Sequence, residues 1–201
     1  MSEEEICEAR EHLGRLGYWV KLDGVGPDES LRQALVAFQK IEGRKPTGRL
    51  TPEELQALRT ARRPLAREWG DPHIEVDLKR QVLFVVDCCG AILRILPVSS
   101  GNGELFTAEG QTRRAVTPLG RFTVYRKIAG WRRSPLGLLY YPTYIIGGIA
   151  IHGSLSVPTS PASHGCIRIP MFAAKEFFDM ASIGMVVIVH DGGPLVPDEV
   201  P

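Results

Sequence analysis

Nowhere in this chain do the ~18 apolar residues of a membrane-crossing helix follow one another, so no segment reads as a transmembrane span. Charge of neither sign is in excess: 24 Lys and Arg stand against 23 Asp and Glu, a formal net charge of +1. That balance supplies no general drive toward nucleic acid, and none is expected as a partner. Basic residues crowd only the middle of the chain, at Arg113, Arg114, Arg121, Arg126, Lys127, Arg132 and Arg133. Contact with an anionic polymer and a plain solvated face fit that pattern equally. Cysteine is scarce as well. Cys7, Cys88, Cys89 and Cys166 have no framework spacing and the adjacent pair cannot bridge comfortably, so a disulfide scaffold is excluded and Cys166 is expected free. The start, Met1-Ser2-Glu3-Glu4-Glu5, is acidic where a secretory leader is basic, so no export signal is read in this chain.

What is present divides by period. Over the first 60 or so residues the apolar spacing is helical. Ser2 and Glu5 form a capping pair ahead of Ile6, Ala9, Leu13 and Leu16, with Gly17 as the stop. Ser30 and Gln33 predict the start of a second helix carrying Leu31, Ala34, Leu35 and Phe38, ended by Gly43. Thr51-Pro52-Glu53-Glu54 opens a third, with proline at its first position. Each helix is too short to persist alone in water, so the three must pack. Beyond the Pro- and Gly-containing stretch 63–72, read as a linker, the period changes to two. Strands are predicted at 74–78, 82–86, 92–98, 122–125, 144–146, 149–152 and 186–189, with one helix from 170 to about 183. The segment 130–144 reads as an aromatic loop. The fold class is therefore α+β, with a small three-helix domain over 1–62, a mainly-β domain over 73–192 and a tail over 193–201.

The chemistry concentrates in Ile151-His152-Gly153 and Ser163-His164-Gly165-Cys166-Ile167-Arg168. A thiolate, not a thiol, attacks a carbonyl carbon, so a nucleophilic cysteine needs a base, and histidine is the residue suited to working pH. His152 and His164 are both candidates. Glycines at 153 and 165 open space for close backbone approach, and amides around Gly165 and Cys166 could form an oxyanion hole. A thiolate–imidazolium pair is the expected resting state. His152, His164 and Cys166 would also supply three zinc ligands, but no carboxylate or second cysteine stands beside them, so neither metal nor cofactor is expected. His12, His73 and His190 lack such company and read as surface or structural.

These two motifs, with Thr117-Pro118-Leu119-Gly120-Arg121-Phe122 upstream, resemble the signature of the L,D-transpeptidase catalytic domain, the YkuD-type family of cell-wall cross-linking enzymes. The resemblance implies a β-sandwich and assigns Cys166 as nucleophile and His152 as general base and acid. It gives Ser163, His164, Gly165, Gly153 and Arg168 to the pocket and oxyanion hole, and offers Tyr141 and Tyr144 as substrate-binding residues. The reaction implied is attack on the third residue of a peptidoglycan stem peptide, release of D-alanine, and transfer of the thioester to an acceptor amine. Water in place of the amine would make the enzyme an L,D-carboxypeptidase or a cross-link-cleaving hydrolase. A noncatalytic wall-binding protein is the reading from another class. Leu16-Gly17-Tyr18, Asp23-Gly24, Leu31 to Gln39 at helical spacing and Thr47-Gly48 are similar to the three-helix peptidoglycan-binding domain. A groove there would use loop residues such as Tyr18, Trp19 and Arg49. The resemblance implies peptidoglycan stem peptides and glycan as partners and an extracytoplasmic place, in cell wall or periplasm. It leaves the oligomeric state open.

Overall fold

The computed structural model describes residues 1–193, so the expected tail lies almost wholly outside the described residues. Three helices come first: α1 Glu3–Leu16, α2 Glu29–Ile41 and α3 Pro52–Thr60. Twelve strands follow: β1 His73–Asp77, β2 Val82–Val86, β3 Ile92–Pro97, β4 Leu105–Ala108, β5 Gln111–Arg114, β6 Gly120–Thr123, β7 Arg126–Lys127, β8 Trp131–Ser134, β9 Gly137–Ile146, β10 Ile149–Ser154, β11 Ile167–Pro170 and β12 Val186–His190. One further helix, α4 Met171–Met180, lies between β11 and β12.

Ser2 and Glu5 close a reciprocal capping box on α1, Gly17 ends it in the left-handed conformation, and Thr51 caps α3 ahead of Pro52. The cap of α2 is Asp28, whose carboxylate accepts from the Leu31 amide at 2.8 Å, and not Ser30. Ser30 sits inside the helix, where its hydroxyl donates to Asp28 and accepts from the Lys21 amide. An ionised acceptor makes the stronger cap and displaces the neighbouring hydroxyl.

Ten of the strands form two large sheets, and β4 and β5 pair as a separate antiparallel hairpin. In the first the order is β3-β2-β1-β12-β6, with β1 and β12 parallel; in the second it is β11-β10-β9-β7, with β8 paired to β9 and β10 parallel to β11. Between them, with α4, lies a core that includes Ile74, Val76, Leu83, Val85, Ile151, Ile167, Ile169, Phe177, Val187 and Val189. The segment expected as a loop at 130–144 is instead the β8–β9 hairpin. Its outer strand, Trp-Arg-Arg-Ser, is largely exposed and shows no alternation to read.

Strand β2 explains how the helices attach. Leu83 and Val85 face the sandwich core, while Val82, Phe84 and Val86 on the opposite face share a cluster with Leu13, Leu35, Phe38 and Leu58 of the helices. A strand buried on both faces reads as the unbroken run Val-Leu-Phe-Val-Val. Each large side chain so buried contributes about 1.5–3 kcal/mol. The β3 edge is closed by Gly17 to Trp19, through Ile95 N donating to Gly17 O (2.8 Å) and Trp19 N donating to Ile95 O (3.0 Å). Tyr18 and Trp19 are therefore buried in this seam and form no open groove; the Trp19 indole donates to Glu176 on α4 at 3.0 Å.

The seam also holds Lys40, 9% exposed, whose Nζ donates to Gln81 O (3.0 Å) and Val98 O (3.2 Å). Burial pushes this ammonium down to about 7 from 10.5. The unfolded chain keeps its proton through that interval while the folded protein has released it, and stability rises with pH wherever the unfolded state binds more protons. Stability measured by urea unfolding should accordingly climb from pH 7 toward 10. A Lys40→Met chain should lose that slope; an unchanged slope would refute the assignment to Lys40.

Candidate functional site

Period two decides which side chains meet. In β10, Ile151 points into the sandwich core, so Ala150 and His152 take the other face; in β11, Ile167 and Ile169 point inward, so Arg168, and Cys166 just before the strand, take that same face. The parallel register pairs His152 with Arg168. Cys166, His152 and Arg168 thus share one cleft of about 880 Å³, together with Ser163, His164, Gly153 and Tyr144.

His152 is 4% exposed, and its Nδ1 lies 2.9 Å from the Gly153 carbonyl. A carbonyl only accepts, so Nδ1 carries the proton and Nε2 keeps its lone pair. Burial pushes His152 down to about 4, with the Arg168 charge adding to the fall and the Gly153 bond opposing it. Burial also pushes the Cys166 thiol up, against the opposing pull of the Ala150 amide and Arg168. Both directions run against the expected thiolate–imidazolium pair. A dry site favours the neutral forms of both groups. The thiol's own partner is the Gly148 carbonyl at 3.8 Å, a long contact that leaves the hydrogen free to turn.

The loop bearing Cys166 is braced from beneath. Ser163 is almost fully buried; its hydroxyl donates to the Cys166 carbonyl and accepts from the Gly165 amide at 3.0 Å. The Gly165 amide is thereby committed and does not serve an oxyanion hole, whereas the amides of His164 and Cys166 have no backbone partner among the described residues. Gly165 holds φ +132, and a Cβ there would stand 3.0 Å from the Val116 carbonyl. Thr117 donates to Gly165 O at 2.7 Å and accepts from the Gly101 amide at 2.9 Å. Ser99 and Arg168 exchange both backbone hydrogen bonds.

Other candidates fall differently. A Cβ at Gly153 would lie 2.6 Å from the Ala174 side chain, so that glycine chiefly admits α4 to the sheet. His164 is exposed and stacks edge-on against Phe106, centroids 4.8 Å apart. Tyr144 lines the cleft with the Arg126 guanidinium 5.4 Å above its ring. Tyr141 does not line it: at φ 49 its ring packs on Tyr140 and Phe178. Among the described residues no group of three His, Cys, Asp or Glu side chains is arranged to hold a metal ion.

From sequence, Tyr141 and Tyr144 of the second hairpin are expected at the site, whereas the arginines of the two hairpins that wall the cleft read only as a solvated face or a contact for an anionic polymer. Arg113 and Arg114 of β5 and Arg132 of β8 line the cleft beside Arg168, against the single carboxylate of Glu109. Arginine crowding was the only available signal, and it was mixed: Arg121 instead pairs with Glu68 at 2.6 Å, and Lys127 sits over Phe178.

Comparison with known proteins agrees with this geometry. The family profile for the L,D-transpeptidase catalytic domain (YkuD) matches residues 71–189, and that for a peptidoglycan binding domain matches residues 2–58. Among solved structures, an L,D-transpeptidase from Xylanimonas cellulosilytica is 39% identical over 92% of this chain and 93% of its own, with a TM-score of 0.86. An L,D-transpeptidase from Stackebrandtia nassauensis is 21% identical over 98% of this chain and 94% of its own, and its TM-score of 0.54 marks a shared fold. No protein of curated function matches.

Proposed function

This chain belongs to the L,D-transpeptidase catalytic domain (YkuD) family, and from that premise we propose that Cys166 and His152 carry out acyl transfer on peptidoglycan stem peptides. The observation that carries this reading is the placement of both residues on one sheet face in one cleft, with the His152 tautomer fixed so that Nε2 is a base. The Cys166 sulfur attacks the carbonyl carbon of the third stem residue while its proton passes to Nε2. The tetrahedral oxyanion takes hydrogen bonds from the unpartnered amides of Cys166 and His164. When the intermediate collapses, the C–N bond to D-alanine breaks and the imidazolium returns the proton to the departing amine. The thioester is then attacked by an amine of a neighbouring stem, which gives a proton to His152, and the sulfur leaves to recover it.

Two neutral partners suit this sequence, because charge is separated only as the bond forms. The guanidinium groups of Arg113, Arg114, Arg132 and Arg168 suit the terminal carboxylate of the departing D-alanine. The peptidoglycan binding domain supports the wall polymer as partner and an extracytoplasmic place of action. Among the described residues no helix is long and apolar enough to cross a membrane.

Intact-mass spectrometry of the chain mixed with a stem tetrapeptide should show a covalent adduct of the tripeptide on Cys166, with D-alanine released in equal amount. A carbapenem should form an adduct at the same residue. Absence of both adducts, with the tetrapeptide left whole, would overturn the reading.

A further inference from the structure

Lys40 stands far from the cleft chemistry, yet its surroundings are costly. Its ammonium is nearly enclosed, its polar partners are two carbonyl oxygens, and among the described residues no carboxylate offsets its charge. An apolar side chain of similar length would fill the same seam without desolvating a charge. What the lysine holds gives its presence a physical sense, since Gln81 and Val98 both lead into the segment that carries the nucleophile's loop.

The connections run without a break. Lys40 Nζ donates to Gln81 O and Val98 O, and the Val98 amide donates to Gln81 O at 2.9 Å. Gln81, at φ 55, sits in the left-handed region that costs a non-glycine residue free energy. Its side chain nevertheless meets Ser100 twice, donating to Oγ at 2.8 Å and accepting from the amide at 2.9 Å. Ser100 O in turn accepts from the amides of Ala162 (3.0 Å) and Ser163 (2.9 Å). Next to it, Ser99 exchanges backbone hydrogen bonds with Arg168 at 3.1 and 3.0 Å. Ser163 then bridges Gly165 and the Cys166 carbonyl. Gln81, Ser99, Ser100 and Ser163 are all buried, so no water competes for these groups.

We propose that Lys40, a residue of helix α2, is a positioning residue for Cys166: it fixes the 98–100 segment, and that segment sets the height of the 163–166 loop in the cleft. The helical layer then takes part in the chemistry at a distance from the substrate, beyond any role in gripping the wall.

Replacing Lys40 by methionine in the full chain tests this. Methionine keeps the volume and the packing while removing the donors. The expected result is a thermal midpoint at or above that of the wild type, KM for the stem peptide within a factor of about two, and kcat lower by about tenfold, the scale of coupling through a packed polar chain. The alkylation rate of Cys166 by iodoacetamide, followed by peptide mapping so that Cys7, Cys88 and Cys89 do not contribute, should fall in parallel. Alkylation needs no substrate, so it decides the matter whether or not the peptide chemistry is as described. Gln81→Asn tolerates the same backbone region but is too short to reach Ser100, and it should give the same signature should Lys40→Met fold poorly. The double variant should lose no more than the worse single one. Unchanged kcat and alkylation in both single variants, or losses that simply multiply, would overturn the proposal.

Discussion

A Cys166→Ala enzyme should form no thioester and lose turnover by about four to six orders of magnitude, the scale seen when a covalent nucleophile is removed while binding groups stay in place. No neighbouring group can substitute. Ser163, the nearest hydroxyl in sequence, is buried and already donates to the Cys166 carbonyl. The fold should survive, because Cys166 is half-buried against Leu139, Tyr144 and Ala150 and the change removes one atom. That loss is worth about 1 kcal/mol. Thermal melting beside D-alanine release separates the two effects. A melting temperature near wild type with turnover gone is the expected pair of results, and release within tenfold of wild type would show that another group attacks.

The second large effect belongs to His152. His152→Gln should lower kcat/KM by about 10²- to 10⁴-fold, the ordinary worth of a positioned base. The glutamine amide can keep a bond to a carbonyl but has no basic lone pair to accept the thiol proton. The pH profile of the wild type carries more information. The neutral imidazole is the active form, so kcat/KM should hold as pH falls through 6 and drop only near 4, where His152 gains its proton. An ordinary surface histidine would place that limb near 6.5. The variant should lack the limb altogether. A wild-type limb close to 6.5 would mean that the histidine is more hydrated in solution than its burial implies, and that an ion pair rests in the site after all.

The parts of this protein that could be read in its sequence are those set by local physics. Caps at Ser2 and Thr51 and the stop at Gly17 depend on groups within a turn of one another, and they stand where the spacing predicted. The inward Ile151, Ile167 and Ile169 could be read as alternation, and they are what turns His152, Cys166 and Arg168 to a common face. The second helix was misjudged by two residues because serine and aspartate compete for the same amides, and only the folded loop shows which one reaches Leu31. Tyr18 and Trp19 looked like loop aromatics because their burial comes from β3, more than seventy residues away in the chain. The outer strands β5 and β8 of the hairpins that wall the cleft are exposed along almost their whole length and so carry no period. The direction in which burial moves Cys166 and His152 was illegible for a related reason: desolvation is a property of what surrounds a residue, and the motif names only its neighbours in sequence.

The shared cluster between the helices and the outer face of β2 has one more consequence. A module strung on a loose tether would let a hydrolase or transferase sweep a sphere of wall around its anchor. Here Phe38 and Phe84 lie in one piece of core, so the interval from helical layer to thiol is as fixed as the spacing of two teeth on a gauge. On the function proposed above, wall gripped by the helical layer would meet Cys166 at one set distance.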